Sequence, residues 1–229
     1  MNDLFEKYGL NITDEQINKF SIFRSILKEY NQKFNITAIL DDSEINIKHF
    51  LDSSVKVDNF STSAKIIEIG SGGGFPSIPI KIMREDLNFT LLEATGKKCE
   101  FLKIVIKELD LKNVTVINGR AEDLGKDKNY REKFDYAIAR AVARLNVLSE
   151  YCLPFVKLEG EFIAYKGKNE DEIDEAKSGI EKLGGKLKDV YSFELPCNLG
   201  ERNIIRIEKI SNTPEQYPRQ NGRIKKSPL

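Results

Sequence analysis

The stretch Ile66-Ile67-Glu68-Ile69-Gly70-Ser71-Gly72-Gly73-Gly74-Phe75-Pro76 constrains the fold more than any other part of this 229-residue chain. Its first half, from Ala64 to Ile69, is β-branched with a single acid, the pattern of a strand buried on both faces of a parallel sheet. Such a strand needs helices on both sides. Glycines at 70, 72, 73 and 74 leave only Ser71 with a Cβ in the turn, so the main chain can take positive φ and lie against a nucleoside ligand. Pro76 and Pro79 follow, and proline suits the first turn of a helix, where its missing N–H has no partner to lose. A strand, a tight loop and a helix are therefore predicted in succession.

Three kinds of site use such a loop. A P-loop needs G-x-x-x-x-G-K-[ST], and no Lys-Ser or Lys-Thr pair follows these glycines. A dinucleotide fingerprint needs glycine at position 75, and bulky Phe75 at the close helix–strand contact counts against it. The third pattern is an acid two residues before G-x-G-x-G. With Glu68, Gly70, Gly72 and Gly74 the chain resembles motif I of the class I S-adenosylmethionine-dependent methyltransferases, a merely structural glycine turn being the alternative.

A 40% hydrophobic content and a formal net charge of zero fit one main domain with one substantial core. No apolar run approaches the roughly 20 residues of a membrane span, and the N-terminus lacks the regions of a signal peptide, so a cytosolic, monomeric protein is expected. Cys99, Cys152 and Cys197 are odd in number and widely spaced, which suggests neither disulfides nor a metal site.

Strands and helices alternate after the loop. Strands are predicted over 88–93, 114–117, 134–139 and 161–165, and helices over 97–109, 145–152 and 170–183. Two last strands, 186–195 and 203–210, can pair as a hairpin. The fold class is α/β: a Rossmann-like doubly wound sheet, mostly parallel, with ligands at the carboxyl ends of its strands. Residues 1–60 differ in kind. Thr13 and Gln16 fit a capping box, Ile17, Phe20, Phe23, Leu27 and Tyr30 recur at helical spacing, and a second helix is predicted over 44–57. The division is a helical cap (1–60), a sheet domain (61–211) and a basic tail (212–229) near the site.

Acids and bases at strand ends carry the chemistry. Glu93 closes the second strand, where nucleoside-binding folds place a carboxylate for ribose hydroxyls. Ala121 and Glu122 follow the third strand, within reach of an adenine edge, with helix capping by Asp123 as the rival reading. Arg140 ends the fourth strand, where a guanidinium is hard to bury without an anionic or aromatic partner.

Beyond motif I, Tyr30 to Ile39, Lys48 to Ser53, Gly74 to Pro79, Gly96 to Lys98, Ala121-Glu122, Arg140-Ala141 and Tyr217 to Leu229 resemble, in order, the bacterial ribosomal RNA small subunit methyltransferase G family, also called glucose-inhibited division protein B. The resemblance implies N7 methylation of guanosine 527 in 16S rRNA, with S-adenosylmethionine as donor and the small subunit or its precursor as partner. It assigns Glu68, Gly70, Gly72, Gly74, Phe75, Glu93, Ala94, Thr95, Ala121 and Glu122 to the donor, and Arg140 to donor or base. Arg140 and Lys166 are the candidates beside the reacting atoms. Two departures stand out: Glu93-Ala94-Thr95 replaces a commoner Asp-Ser pair, and Cys99-Glu100 replaces a more basic run.

Guanine N7 attacks with an in-plane lone pair, so no general base is needed, and in-line placement is the main demand. His49, the one histidine, therefore reads as a packed imidazole. An exocyclic-amine enzyme would show Asn/Asp-Pro-Pro-aromatic where Arg140-Ala141-Val142-Ala143 stands. Cys197 lies too far downstream for a pyrimidine C5 nucleophile and reads as structural. For RNA the basic groups must be segregated: Arg219, Arg223, Lys225 and Lys226 in the tail, with Lys97, Lys98, Arg120, Arg144 and Lys166 at strand ends. Other readings are a non-catalytic assembly factor with a retained donor pocket, or a methyltransferase acting on a small molecule or protein.

Overall fold

The computed structural model describes residues 1–168 and 171–229. Among the described residues seven strands form one sheet: β1 (Lys65–Ile69), β2 (Asn88–Glu93), β3 (Val114–Asn118), β4 (Phe134–Arg140), β5 (Val156–Lys166), β6 (Gly185–Glu194) and β7 (Glu201–Lys209). Their order is β3-β2-β1-β4-β5-β7-β6. The first five pair in parallel, whereas β7 runs antiparallel between β5 and β6. The chain winds outward to β3 and then returns to the other side of β1. The β1–β4 boundary is thus the switch point of the sheet, where its carboxyl ends open a crevice.

Alternation along the strands feeds two cores. Ile66, Ile138, Ile163 and Ile204 face one side, and Ile67, Ala137, Phe162 and Ile205 the other. The cap does not build a core of its own. Phe5, Phe20, Phe23, Leu27 and Phe50 join the first cluster, continuous with Ile66 and Ile138. The long cap helix, Asp14–Asn31, begins with the expected capping box of Thr13 and Gln16.

Three elements differ from the sequence reading. The second cap helix is irregular: Asp42–Ile45 passes into a π-helical turn, Asn46–Leu51, and ends at Asp52–Ser54, with Lys56 left-handed at φ +63°. Strand β5 starts at Val156 rather than Glu161, because a register shift opposite Phe134 and Tyr136 lets the polar Lys157-Leu158-Glu159-Gly160 run on in the sheet. The acidic helix is Glu172–Lys182; the predicted start at Glu170 lies outside the described residues.

The tail folds as part of the body. Arg131 donates to the carbonyls of Thr213, Pro214 and Tyr217. The Tyr151 hydroxyl donates to Asn221 at 2.6 Å, and Ile224 of a short helix, Asn221–Lys226, is buried. Arg219 lays its guanidinium on Glu150, which is fully buried, with Nη2–Oε2 at 2.6 Å and Nε–Oε1 at 2.9 Å. Arg219, expected at RNA from the sequence, is thus held by an ion pair within the fold. Cys197, read as structural, is instead exposed in a left-handed turn.

Removing one member of a buried pair strands the other charge. Arg219→Ala is expected to lower the unfolding free energy by about 3–5 kcal/mol, checked by denaturant titration against the wild type. A change under about 1 kcal/mol, the range of a surface pair, would contradict the burial.

Candidate active site

At the end of β1, Gly70, Gly72 and Gly74 take φ of +71°, +52° and +84°. A Cβ on Gly74 would meet Ile78 Cγ1 at 2.6 Å, and one on Gly70 would meet Val142 Cγ2 at 2.8 Å, so the turn needs glycine for space as well as conformation. The amides of Gly70 and Ser71 donate to the Leu92 carbonyl, which ties the loop to β2. Glu93 spans the junction: Oε2 accepts the Gly72 amide at 2.9 Å and Oε1 the Thr95 amide at 2.7 Å. Each oxygen retains acceptor capacity for a hydroxyl.

Two cavities flank the end of β4. The smaller, about 130 Å³, is lined by Ile69, Gly70, Leu92, Ala94, Ala121 and Glu122, and is narrowed by Val142, Asn221 and Lys225. The larger, about 440 Å³, is bordered by Lys48, His49, Asp52, Arg140, Lys166 and Arg202. Arg140 and Ala141 face the larger cavity, Val142 and Ala143 the smaller, so the two are divided by a few residues of backbone. Ala141 holds that turn at φ +57°.

Arg140 is fixed by the cap. Its Nη1 donates to the Lys48 carbonyl inside the π-turn at 3.0 Å and to Asp52 Oδ2 at 3.1 Å. Its Nη2 lies 3.1 Å from His49 Nδ1, and its guanidinium stands over the Phe75 ring. An arginine only donates, so Nδ1 must be the acceptor and the proton of a neutral His49 sits on Nε2, 2.9 Å from the Thr37 hydroxyl. Burial, with Arg140 adjacent, holds the His49 imidazole down to about 3.

Glu68 is fully buried and lines neither cavity, and among the described residues neither of its carboxylate oxygens has a hydrogen-bond partner. Burial pushes its carboxyl up to about 8, partly offset by Ser77 and Arg140. Phe75 also departs from its expected role. Its ring stacks on His49 at 4.2 Å and on Phe23 at 5.2 Å, joining loop to cap, and it is not part of the smaller cavity's lining. Gly70, Ala94, Ala121 and Glu122 line the smaller cavity; Gly72, Gly74, Glu93 and Thr95 are outside its lining, with Glu93 tying the Gly72 and Thr95 amides together.

Lys166 borders the larger cavity but is engaged, donating to the Ala143 carbonyl at 2.9 Å and pairing with Glu172 at 2.7 Å. Arg144 pairs with Glu175. Lys97, Lys98, Arg120, Arg223, Lys225 and Lys226 are exposed or half-exposed, and Arg120 and Lys225 meet at the smaller cavity. Sequence reasoning missed Asp52 and Arg202, whose Nε donates to Asp52 Oδ2 at 3.1 Å. Asp52 lay within a matched segment and could have been found there; Arg202 carried no signal.

The residues present are compatible with a nucleoside-type methyl donor: Ile69 and Leu92 give the smaller cavity apolar surface, Glu122 an acid at its lining, and Glu93 stands at the adjoining strand end with acceptor capacity to spare. A glycine loop after β1, a strand-end acid after β2 and a seven-stranded sheet closed by an antiparallel β7 define a class I S-adenosylmethionine-dependent methyltransferase. Solved structures agree on the fold. M. jannaschii TYW2 in complex with AdoMet superposes with a TM-score of 0.53 at 18% identity, covering 70% of this chain and 76% of that one. The YcgJ protein of Bacillus subtilis gives 0.56 at 11% identity, covering 72% and 100%.

Sequence narrows this further. The family described as "GidB: rRNA small subunit methyltransferase G" matches residues 16–205. The Ribosomal RNA small subunit methyltransferase G of Acetivibrio thermocellus is 48% identical over 97% of this chain and 92% of its own length. That of Clostridium perfringens is 43% identical over 100% and 97%. The chain belongs to the rRNA small subunit methyltransferase G family.

Two titrations follow. His49 is the one histidine, so its nitrogen resonances are unambiguous. They are expected to show neutral imidazole protonated at Nε2 down to about pH 4, because the folded value is near 3. A depressed histidine contributes stability above its ordinary 6.5 that is lost as pH falls toward 3. Glu68 has the opposite sign: a raised carboxyl contributes most below its ordinary 4.5 and loses that contribution as pH rises toward 8. Unfolding titrations across that window should show the wild type losing stability relative to Glu68→Gln, and parallel curves would contradict the shift.

Proposed function

We propose that this chain transfers the methyl group of S-adenosylmethionine to N7 of guanosine 527 in 16S rRNA. The observation that carries the reading is the pair of cavities separated by the Arg140–Ala143 turn, with the imidazole beside the larger one occupied at both nitrogens. A site without a free histidine suits an acceptor that need not lose a proton, and the N7 lone pair is such an acceptor. The sulfonium of the donor supplies an electrophilic methyl group. What the protein contributes is placement, which for well-oriented groups accounts for roughly 7–11 kcal/mol of a barrier.

Each residue then has a positional task. Glu93, and the close backbone approach that the glycine loop allows, seat the nucleoside end of the donor. Arg140, with three of its N–H groups engaged by the cap, keeps others for the base or its phosphate. Lys166 ties the Ala143 carbonyl to the Glu172 helix and so holds the turn between the cavities. Lys97, Lys98, Arg120, Arg223, Lys225 and Lys226 offer the cationic rim that RNA phosphates require, despite a formal net charge of zero. With Arg219 buried on Glu150, this rim excludes one basic residue of the tail.

Small subunits lacking the modification, incubated with the protein and labelled donor, are expected to yield N7-methylguanosine at that position. Absence of the product with intact subunits would falsify the proposal. Arg140→Ala is expected to lower kcat/KM for subunits about 100-fold, the scale of a misplacement near 1 Å, with donor affinity little changed.

A further inference from the structure

Arg140 does not account for everything at the larger cavity. Asp52 lies in its wall, only 4% exposed, between two guanidiniums. Arg140 Nη1 and Arg202 Nε both donate to Oδ2, each at 3.1 Å. A carboxylate offers about four acceptor positions, and both arginine contacts fall on Oδ2, which leaves acceptor capacity on Oδ1. Two arginines on one oxygen fix the plane of the group. The result is an oriented anionic acceptor at a cavity that already holds apolar surface from Ile39 and Ile204.

Nucleobases differ in what they offer such a group. Guanine presents two adjacent donors on its Watson–Crick edge, N1–H and the 2-amino group. Adenine and cytosine present an amine beside a bare ring nitrogen, whose lone pair a carboxylate repels, and uracil presents one N–H between two carbonyls. Bases taken out of a stack are read on this edge by hydrogen bonds. N7 lies on the opposite edge of the purine, so a reader of N1 and the 2-amino group does not obstruct the reacting atom. Arg202 reaches the cavity from β7, a strand distant in sequence from the donor loop, and its visible task is to hold Asp52.

We propose that Asp52 is the specificity-determining acceptor for the Watson–Crick edge of the target guanine, with Arg202 as its positioning residue. This rests on the guanine N7 reading and names the group that selects the base.

Small subunits reconstituted with guanosine or inosine at the target position provide the test, because inosine keeps N7 and N1–H but lacks the 2-amino group. Wild-type protein is expected to methylate the guanosine subunit about 10- to 100-fold faster in kcat/KM, the value of a hydrogen bond to a charged group. In Asp52→Asn that preference should collapse while donor binding, followed by calorimetry, persists. Arg202→Met should weaken the preference in the same direction. Equal wild-type rates on both subunits overturn the assignment, as does an Asp52→Asn protein that is slower on both but keeps the wild-type ratio, since that pattern belongs to a residue that merely holds arginines. If the variant is too slow to measure, the wild-type ratio decides. No product from wild type on guanosine subunits overturns the N7 reading itself, and this assignment with it.

Discussion

The buried guanidinium of Arg140 is the constraint around which the site is arranged. A charge withdrawn from water is tolerated only when its hydrogen bonds are met and a counter-charge is near. The cap meets that demand with three groups from one short segment: the Lys48 carbonyl, the Asp52 carboxylate and the His49 imidazole. Regular α-helical winding is given up there for a π-turn, a device that recurs at functional sites. The same histidine stacks on Phe75, which belongs to the glycine loop. Cap, loop and β4 thus meet at one cation, and the first sixty residues belong to the site as much as to the core.

Much of this was legible because its physics is local. Ile66 to Pro76 announced a buried strand and a glycine turn through composition alone, and positive φ at Gly70, Gly72 and Gly74 is what that composition permits. Thr13 and Gln16 announced a helix start that the structure contains. Phe75 shows where local reasoning stops. Its position after the glycines suggested the donor, but its direction is set by Phe23 and His49, which arrive from the cap. Asp52 and Arg202 are 150 residues apart and meet only in the folded chain. A polar residue in a helix and another in a strand give no sign of such a meeting. Strand β5 was underestimated for a related reason: a bulged, polar start resembles a turn until its partner strand is known.

Electrostatics here depends on placement more than on totals. Equal numbers of acids and bases give no net charge, yet the larger cavity is bordered by Lys48, Arg140, Lys166 and Arg202 against Asp52 and Glu172. Pairing decides what each charge can still do. Lys166 and Arg144 are tied to the Glu172–Lys182 helix, so that acidic helix limits the basic surface next to the cavity. Arg120 and Lys225 stand on the opposite side, at the smaller cavity. A ligand carrying phosphates would meet two basic regions, one tied into ion pairs and one of exposed side chains.

Glu150 gives the chain's last segment a character unusual for a terminus. Terminal residues commonly fray one at a time, with little free energy separating each step from the next. Here the carboxylate is fully buried and its partner, Arg219, lies 69 residues further along the chain. Partial release of the segment would leave a naked charge inside the protein, so intermediate positions are worse than either end state. The segment around Arg219 is thereby coupled to the burial of Glu150, and its release is tied to that of the Glu150 helix in place of a residue-by-residue loosening.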